Sequence, residues 1–213
     1  MLVHARRSNV QRNCANEFKR TRSNGQVDQG QSRDCKENRT TILVIDDVKA
    51  DIESWLINFV EVPHPALGNW APCPYARKAR LENKYSVRIG TDLYADMLDA
   101  AREGMGDQDV YIYAYWPNEY DPLDFEDAVD SINEETLVPV DMIALADHPS
   151  NPEIVRGVQF NQGKYALALV QSLSKLHSHA KVLGKKGFYN GWDEKYLRGL
   201  FTNREDPRVI RKD

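Results

Sequence analysis

The chain has 213 residues, a formal net charge of −4 and 41% hydrophobic residues, enough for one domain with a core plus an appendage. Three cysteines are too few for a disulfide framework, and no apolar run reaches the roughly 18 residues a membrane helix needs. No apolar stretch follows His4-Ala5-Arg6-Arg7, so no secretory leader is expected and the expectation is a cytoplasmic protein with reduced thiols and no membrane partner.

Residues 1–41 hold nine Lys or Arg against four Asp or Glu, a net +5 that leaves −9 for the remainder. The segment is rich in Asn and Gln and poor in aliphatic residues, so it cannot bury enough apolar surface to offset chain entropy and is expected to be disordered. It reads as a solvated basic tail or a non-native extension; binding of nucleic acid by charge and an organelle transit peptide are the competing readings. Cys14 and Cys35 lie there without metal-ligand spacing. Residues 42–213 are expected to form a single α/β domain. Its negative charge argues against duplex DNA as a partner.

Thr41-Ile42-Leu43-Val44-Ile45-Asp46-Asp47 opens that domain, with Asp46 or Asp47 placed to cap a helix running to about Val60 and Ile52, Trp55, Leu56 and Phe59 on one stripe. Residues 61–82 are broken by Pro63, Pro65, Gly68, Pro72 and Pro74. Tyr85 to Ile89 alternates as a strand and stops at Gly90. Thr91-Asp92 then caps a helix to about Arg102. Val110 to Tyr115 is the strongest strand, followed by a helix over 125–137 and a strand over 140–146 that ends at His148-Pro149. Val158 to Phe160 and Tyr165 to Val170 fit a hairpin around Asn161-Gln162-Gly163, with helix from 164 as the alternative. Helices over 172–183 and 193–201 close the chain. Helices between successive strands imply right-handed parallel crossovers. The expected fold is therefore α/β, a two-layer or three-layer sandwich on a mixed, mostly parallel sheet of four to five strands.

Ile42 to Asp47 has the look of the acidic start of a response-regulator receiver, but the candidate later strand, Val110 to Tyr115, has Tyr113 and Ala114 where the acceptor Asp should lie, a proline-rich insertion splits the order, and helix capping explains both carboxylates. Tyr111, Tyr113 and Tyr115 fall on one strand face. That face could stack bases in a single-stranded nucleic-acid binding module; tyrosines covered by a helix are the commoner outcome. His177 and His179, two apart on a helix, point about 200° away from each other and make a poor metal pair.

The most informative stretch is Trp70-Ala71-Pro72-Cys73-Pro74-Tyr75-Ala76-Arg77-Lys78-Ala79-Arg80. Prolines fix the backbone on both sides of the thiol, and nearby cations favour the reactive thiolate. His148 follows the third strand. If the strands are parallel, Gly90-Thr91-Asp92, Trp116-Pro117-Asn118-Glu119 and Asp147-His148 share the sheet edge at which open α/β folds bind ligands. Cys73 and His148 are thus the candidate nucleophile and base. Arg77, Lys78, Arg80, Asp92, Glu119 and Asp147 are the candidate binding groups. Cys73, His64 and His148 are the candidate metal ligands. A buried structural role for Cys73 is the plain alternative. No cofactor and no partner are identified by these residues.

Trp55-Leu56, Cys73-Pro74-Tyr75-Ala76-Arg77, His148-Pro149 and the tyrosine-led segment from Tyr165 to Leu173 together resemble an uncharacterised bacterial domain family. Its pattern runs Trp-Leu, Cys-Pro-Phe-Ala, a strand, then His-Pro. The resemblance covers residues 52–175, with Tyr75 in place of the usual Phe. It implies no particular activity and marks Cys73 and His148 as a shared pair.

Overall fold

The structure is a computed structural model that describes residues 44–201; the expectations for the tail of residues 1–41 lie outside them. The chain is α/β. Helix α1 (Ile45–Trp55) continues as a wider π-type turn over Leu56–Val60. A proline-broken loop leads to the short α2 (Ala76–Leu81), then β1 (Tyr85–Ile89), α3 (Leu93–Glu103), β2 (Val110–Tyr115), α4 (Pro122–Ile132) and β3 (Met142–Asp147). The two-residue strands β4 (Ile154–Val155) and β5 (Val158–Gln159) precede β6 (Ala166–Ser172), α5 (Leu173–Lys185) and α6 (Glu194–Leu200).

Capping explains several boundaries. Asp92 accepts the Ala95 amide at 3.0 Å, as its place before an apolar stripe predicts. Asp46 and Asp47 do not cap: α1 starts at Ile45 with Val44 in the N-cap position, and the two carboxylates sit in the first turn, where they complement the helix dipole.

The main sheet has the order β1-β2-β6-β3. It is mixed rather than mostly parallel: β1 pairs parallel with β2, and β6 pairs antiparallel with both β2 and β3. The expected hairpin is absent, because Val158–Gln159 pairs with Ile154–Val155 and β6 enters the sheet by itself. Its sequence explains the position. Ala166, Leu167, Ala168 and Val170 are all buried, and a strand apolar on both faces belongs in the interior of a sheet.

Helices cover both faces. On one, Leu93 and Met97 of α3 and Phe125 and Val129 of α4 pack on Tyr111, Tyr113 and Tyr115. On the other, Val48, Ile52 and Leu56 pack on Val87, Ile112, Ala114 and Leu167. A third cluster joins α5 and α6 through Leu183, Phe188, Tyr189, Trp192 and Leu197. Gly90 ends β1 where no side chain fits: a Cβ there would lie 2.0 Å from the Tyr115 ring. The free edge of β3 is closed by Asn133, whose amide donates to the Ala144 carbonyl at 2.9 Å and accepts from its N–H at 2.7 Å. This two-point contact imitates a neighbouring strand.

Candidate functional site

The face of the sheet under α1 is only partly covered. Ile112, Leu169 and Leu145 stand side by side across three paired strands and line a cleft of about 290 Å³. One wall comes from Trp55, Phe59 and Val60. A second comes from Leu176, His179, Ala180 and Leu183 of α5, and a third from Phe160, Tyr189, Trp192 and Tyr196. The walls are held by ring contacts: Phe59 meets Phe160 edge-on at 6.0 Å, and Trp70 meets Phe188 at 5.7 Å.

Cys73 lines this cleft. The Cys73 N–H donates to the Val60 carbonyl at 3.1 Å, which fastens the proline-framed loop to the end of the first helix. The side chain is accessible and belongs to the lining of the cleft. Burial pushes the thiol pKa up; the amides of Tyr75 and Ala76 oppose this, and the Glu61 carboxylate adds to it. The expected activation by Arg80 does not operate, because Arg80 forms a bidentate pair with Glu61 at 2.7 and 3.0 Å. Arg77 and Lys78 are exposed, and Lys78 lies 3.9 Å from Glu82.

His148 does not line the Cys73 cleft. Side chains alternate along a strand, and Asp147 and His148 follow that alternation onto opposite faces. Asp147 lines the cleft, whereas His148 packs on Phe125 beneath α4, with ring centroids 6.0 Å apart. Both imidazole nitrogens are engaged. Nδ1 accepts the Ser150 amide at 3.1 Å, which leaves the proton on Nε2 to donate to the Pro117 carbonyl at 2.9 Å. His148 therefore ties the end of β3 to the end of β2. These ends do share one sheet edge, since β1, β2 and β3 all run opposite to β6 or parallel to its partner, but Asp92 is a helix cap there and Glu119 is exposed.

Among the described residues no three His, Cys, Asp or Glu are grouped to hold a metal. His64 instead accepts the Ala66 amide at 3.2 Å and caps a short turn. The tyrosine face offers no stacking surface: Tyr111, Tyr113 and Tyr115 are buried beneath α3 and α4, and Arg88 lies over the Tyr111 ring at 3.8 Å.

The imidazole that does reach the cleft is His179. It stacks flat on Tyr75, and burial together with Lys175 and Lys78 holds its pKa down against the opposing pull of Asp109. The i, i+2 spacing that rules out a metal pair with His177 says nothing about one of the two facing a cleft, so sequence reading passed over it. The polar lining also includes Gln171, Ser172 and the ion pair of Lys175 with Asp109, together with two further carboxyls. Asp147 accepts from the Asn161 amide at 2.7 Å and the Gln162 N–H at 2.9 Å, and Glu153 accepts from the Tyr196 hydroxyl. Burial raises the pKa of both. The site is thus a largely apolar, ring-rich cleft that holds a thiol with a raised pKa, an imidazole with a lowered one, two carboxyls with raised ones and the ion pair of Lys175 with Asp109.

Comparison of the chain with protein-family models, with curated proteins and with solved structures finds no match in any of the three. Fold and site define the class: an α/β protein with a mixed four-stranded sheet and an apolar cleft on one of its faces. Among the described residues no helix is long and apolar enough to cross a membrane.

Proposed function

We propose that this protein binds a small, largely apolar, ring-bearing molecule in the cleft beside Cys73. One observation carries the reading: a cleft of about 290 Å³ walled by aromatic and aliphatic side chains, with an accessible thiol inside it. Binding sites for small molecules are concave and mostly apolar, with few polar groups, and run from roughly 300 Å³ upward; this one suits a compact ligand. The thiol, with its pKa raised, serves as a soft, polarisable contact rather than as a standing thiolate. An accessible cysteine suits a reducing compartment, in line with a cytoplasmic location.

A catalytic use of Cys73 is the second reading, favoured by His179 on the same cleft. A neutral imidazole is the form that can take a thiol proton. In that reading His179, not His148, is the base.

The test is titration of the full chain with the neutral fluorophore N-phenyl-1-naphthylamine. Saturable one-to-one binding is expected. Cys73→Phe, which places a ring in the cleft, should abolish it while leaving the circular dichroism spectrum unchanged. Binding that survives Cys73→Phe would place the ligand elsewhere and refute the proposal.

A further inference from the structure

The ionic groups of the cleft stand at two ends. At one, Lys175 pairs with Asp109 beside the neutral Gln171 and Ser172. At the other are Asp147 and Glu153. Asp109 precedes Val110, which faces Gln171 across the ladder, whereas Asp147 faces Leu167; these two β6 positions lie about 13 Å apart along the strand. Lys175 cancels Asp109 and leaves the far end unbalanced. Among the described residues neither Asp147 nor Glu153 has an ion-pair partner, and the adjacent His148 is neutral. Both oxygens of Asp147 accept hydrogen bonds. Glu153 accepts one, from Tyr196 on Oε1, while its Oε2 has no partner and is not enclosed. Carboxyls drawn out of water without a counter-ion are costly. The wall beside them is aromatic. Phe160 and Tyr196 are half-buried on the cleft, and Trp192 joins them at ring-centroid distances of 6.1 and 5.7 Å. Ring faces attract cations. A metal ion is not the cation this end suits, since among the described residues no third His, Cys, Asp or Glu joins the pair.

Resting on the small-molecule reading of this cleft, we infer that its ligand carries an organic cation, a protonated or quaternary amine, held at the end formed by Glu153 and Asp147 against Phe160 and Tyr196. The cation supplies the counter-ion these carboxyls lack. Its charge acts through weakly polar surroundings without a directed hydrogen bond. The apolar body of the ligand lies over Leu145, Leu169 and Ile112. An anion would be repelled at this end, and at the other it would have to break the pair of Lys175 with Asp109. A wholly neutral ligand would cover the carboxyls and leave them unbalanced.

The experiment compares N,N,N-trimethyl-2-naphthylammonium with 2-tert-butylnaphthalene, which has the same shape but a neutral carbon in place of the charged nitrogen. Each displaces N-phenyl-1-naphthylamine from the unaltered protein, from Glu153→Gln and from Glu126→Gln. Glu126 lines a second cavity that Asp147 and Glu153 also border, and it does not line the cleft. The quantity read is the affinity ratio of cation to isostere, because their different hydration in water is common to all three proteins. The ratio should fall about tenfold in Glu153→Gln, as expected for loss of a partly desolvated charge partner, and hold in Glu126→Gln. An unchanged ratio in Glu153→Gln overturns the inference and leaves the cleft reading standing. An equal fall in Glu126→Gln also overturns it, because the effect would then belong to overall charge or to the second cavity. An isostere that binds where the cation does not overturns it as well. Failure of both the fluorophore and the isostere to bind the unaltered protein refutes the cleft reading and the inference with it. If Glu153→Gln does not fold, 2-naphthalenesulfonate decides on the unaltered protein, having a similar tetrahedral head of opposite charge. It should bind more weakly than the cation, and equal or tighter binding overturns the inference.

Discussion

Tyr75 lies flat against His179, with ring centroids 3.7 Å apart and planes inclined by 11°. This contact joins the Cys73 loop to α5, two segments 104 positions apart in the chain, and both rings line the cleft. Because burial and two lysines depress the His179 pKa below its ordinary 6.5, the stack is made by a neutral imidazole.

Stability should therefore fall as the pH drops through 6.5. In that range the unfolded chain takes up a proton that the folded protein does not, so unfolding is favoured by acid until the depressed folded pKa is reached. Urea midpoints at pH 7.5 and pH 5 should differ less in His179→Asn than in the unaltered protein. Equal differences in the two proteins would show that His179 does not titrate as described.

His148 is expected to matter for stability and not for the thiol. Removing its two backbone contacts in His148→Ala should cost about 2 kcal/mol of unfolding free energy, measured by urea denaturation. The pH profile of Cys73 alkylation should stay where it was, with a midpoint above the ordinary thiol value of about 8.5. A midpoint that moves in His148→Ala would restore the pairing of the two residues that their sequence positions suggested.

Much of this fold is legible in the sequence, and the failures have particular causes. The strands at Tyr85–Ile89 and Val110–Tyr115 and the cap at Asp92 follow from alternation and local chemistry. The alternating Tyr111, Tyr113 and Tyr115 also mark one face, though not which helices cover it. The position of β6 is a long-range fact. A run that is apolar on both faces signals an interior strand, but the nearby Asn161-Gln162-Gly163 turn suggested a local hairpin instead. The site suffered from the same limit. Cys73 was visible because prolines and cations surround it, whereas its cleft partners come from α1, α5 and the segment before α6, which no spacing rule connects. Adjacent positions misled as well: Asp147 and His148 are neighbours in sequence and face opposite sides of the sheet.

Asn133 gives a test of the sheet edge. Asn133→Ala would leave the N–H and carbonyl of Ala144 without their side-chain partner, at a cost of about 2 kcal/mol or more. Hydrogen exchange at the Ala144 amide should accelerate more than at Leu169, which lies inside the sheet. Unchanged exchange at Ala144 would mean that Asn133 does not close the edge.

The most direct measurement for the cleft is the rate of Cys73 modification by N-ethylmaleimide in the full chain carrying Cys14→Ser and Cys35→Ser, with and without saturating N-phenyl-1-naphthylamine. The cleft account requires modification that is slow at pH 7, rises with pH, and is blocked by the fluorophore in proportion to its occupancy. Modification at the same rate with the fluorophore bound would contradict it, because the thiol and the ligand would then occupy different parts of the protein.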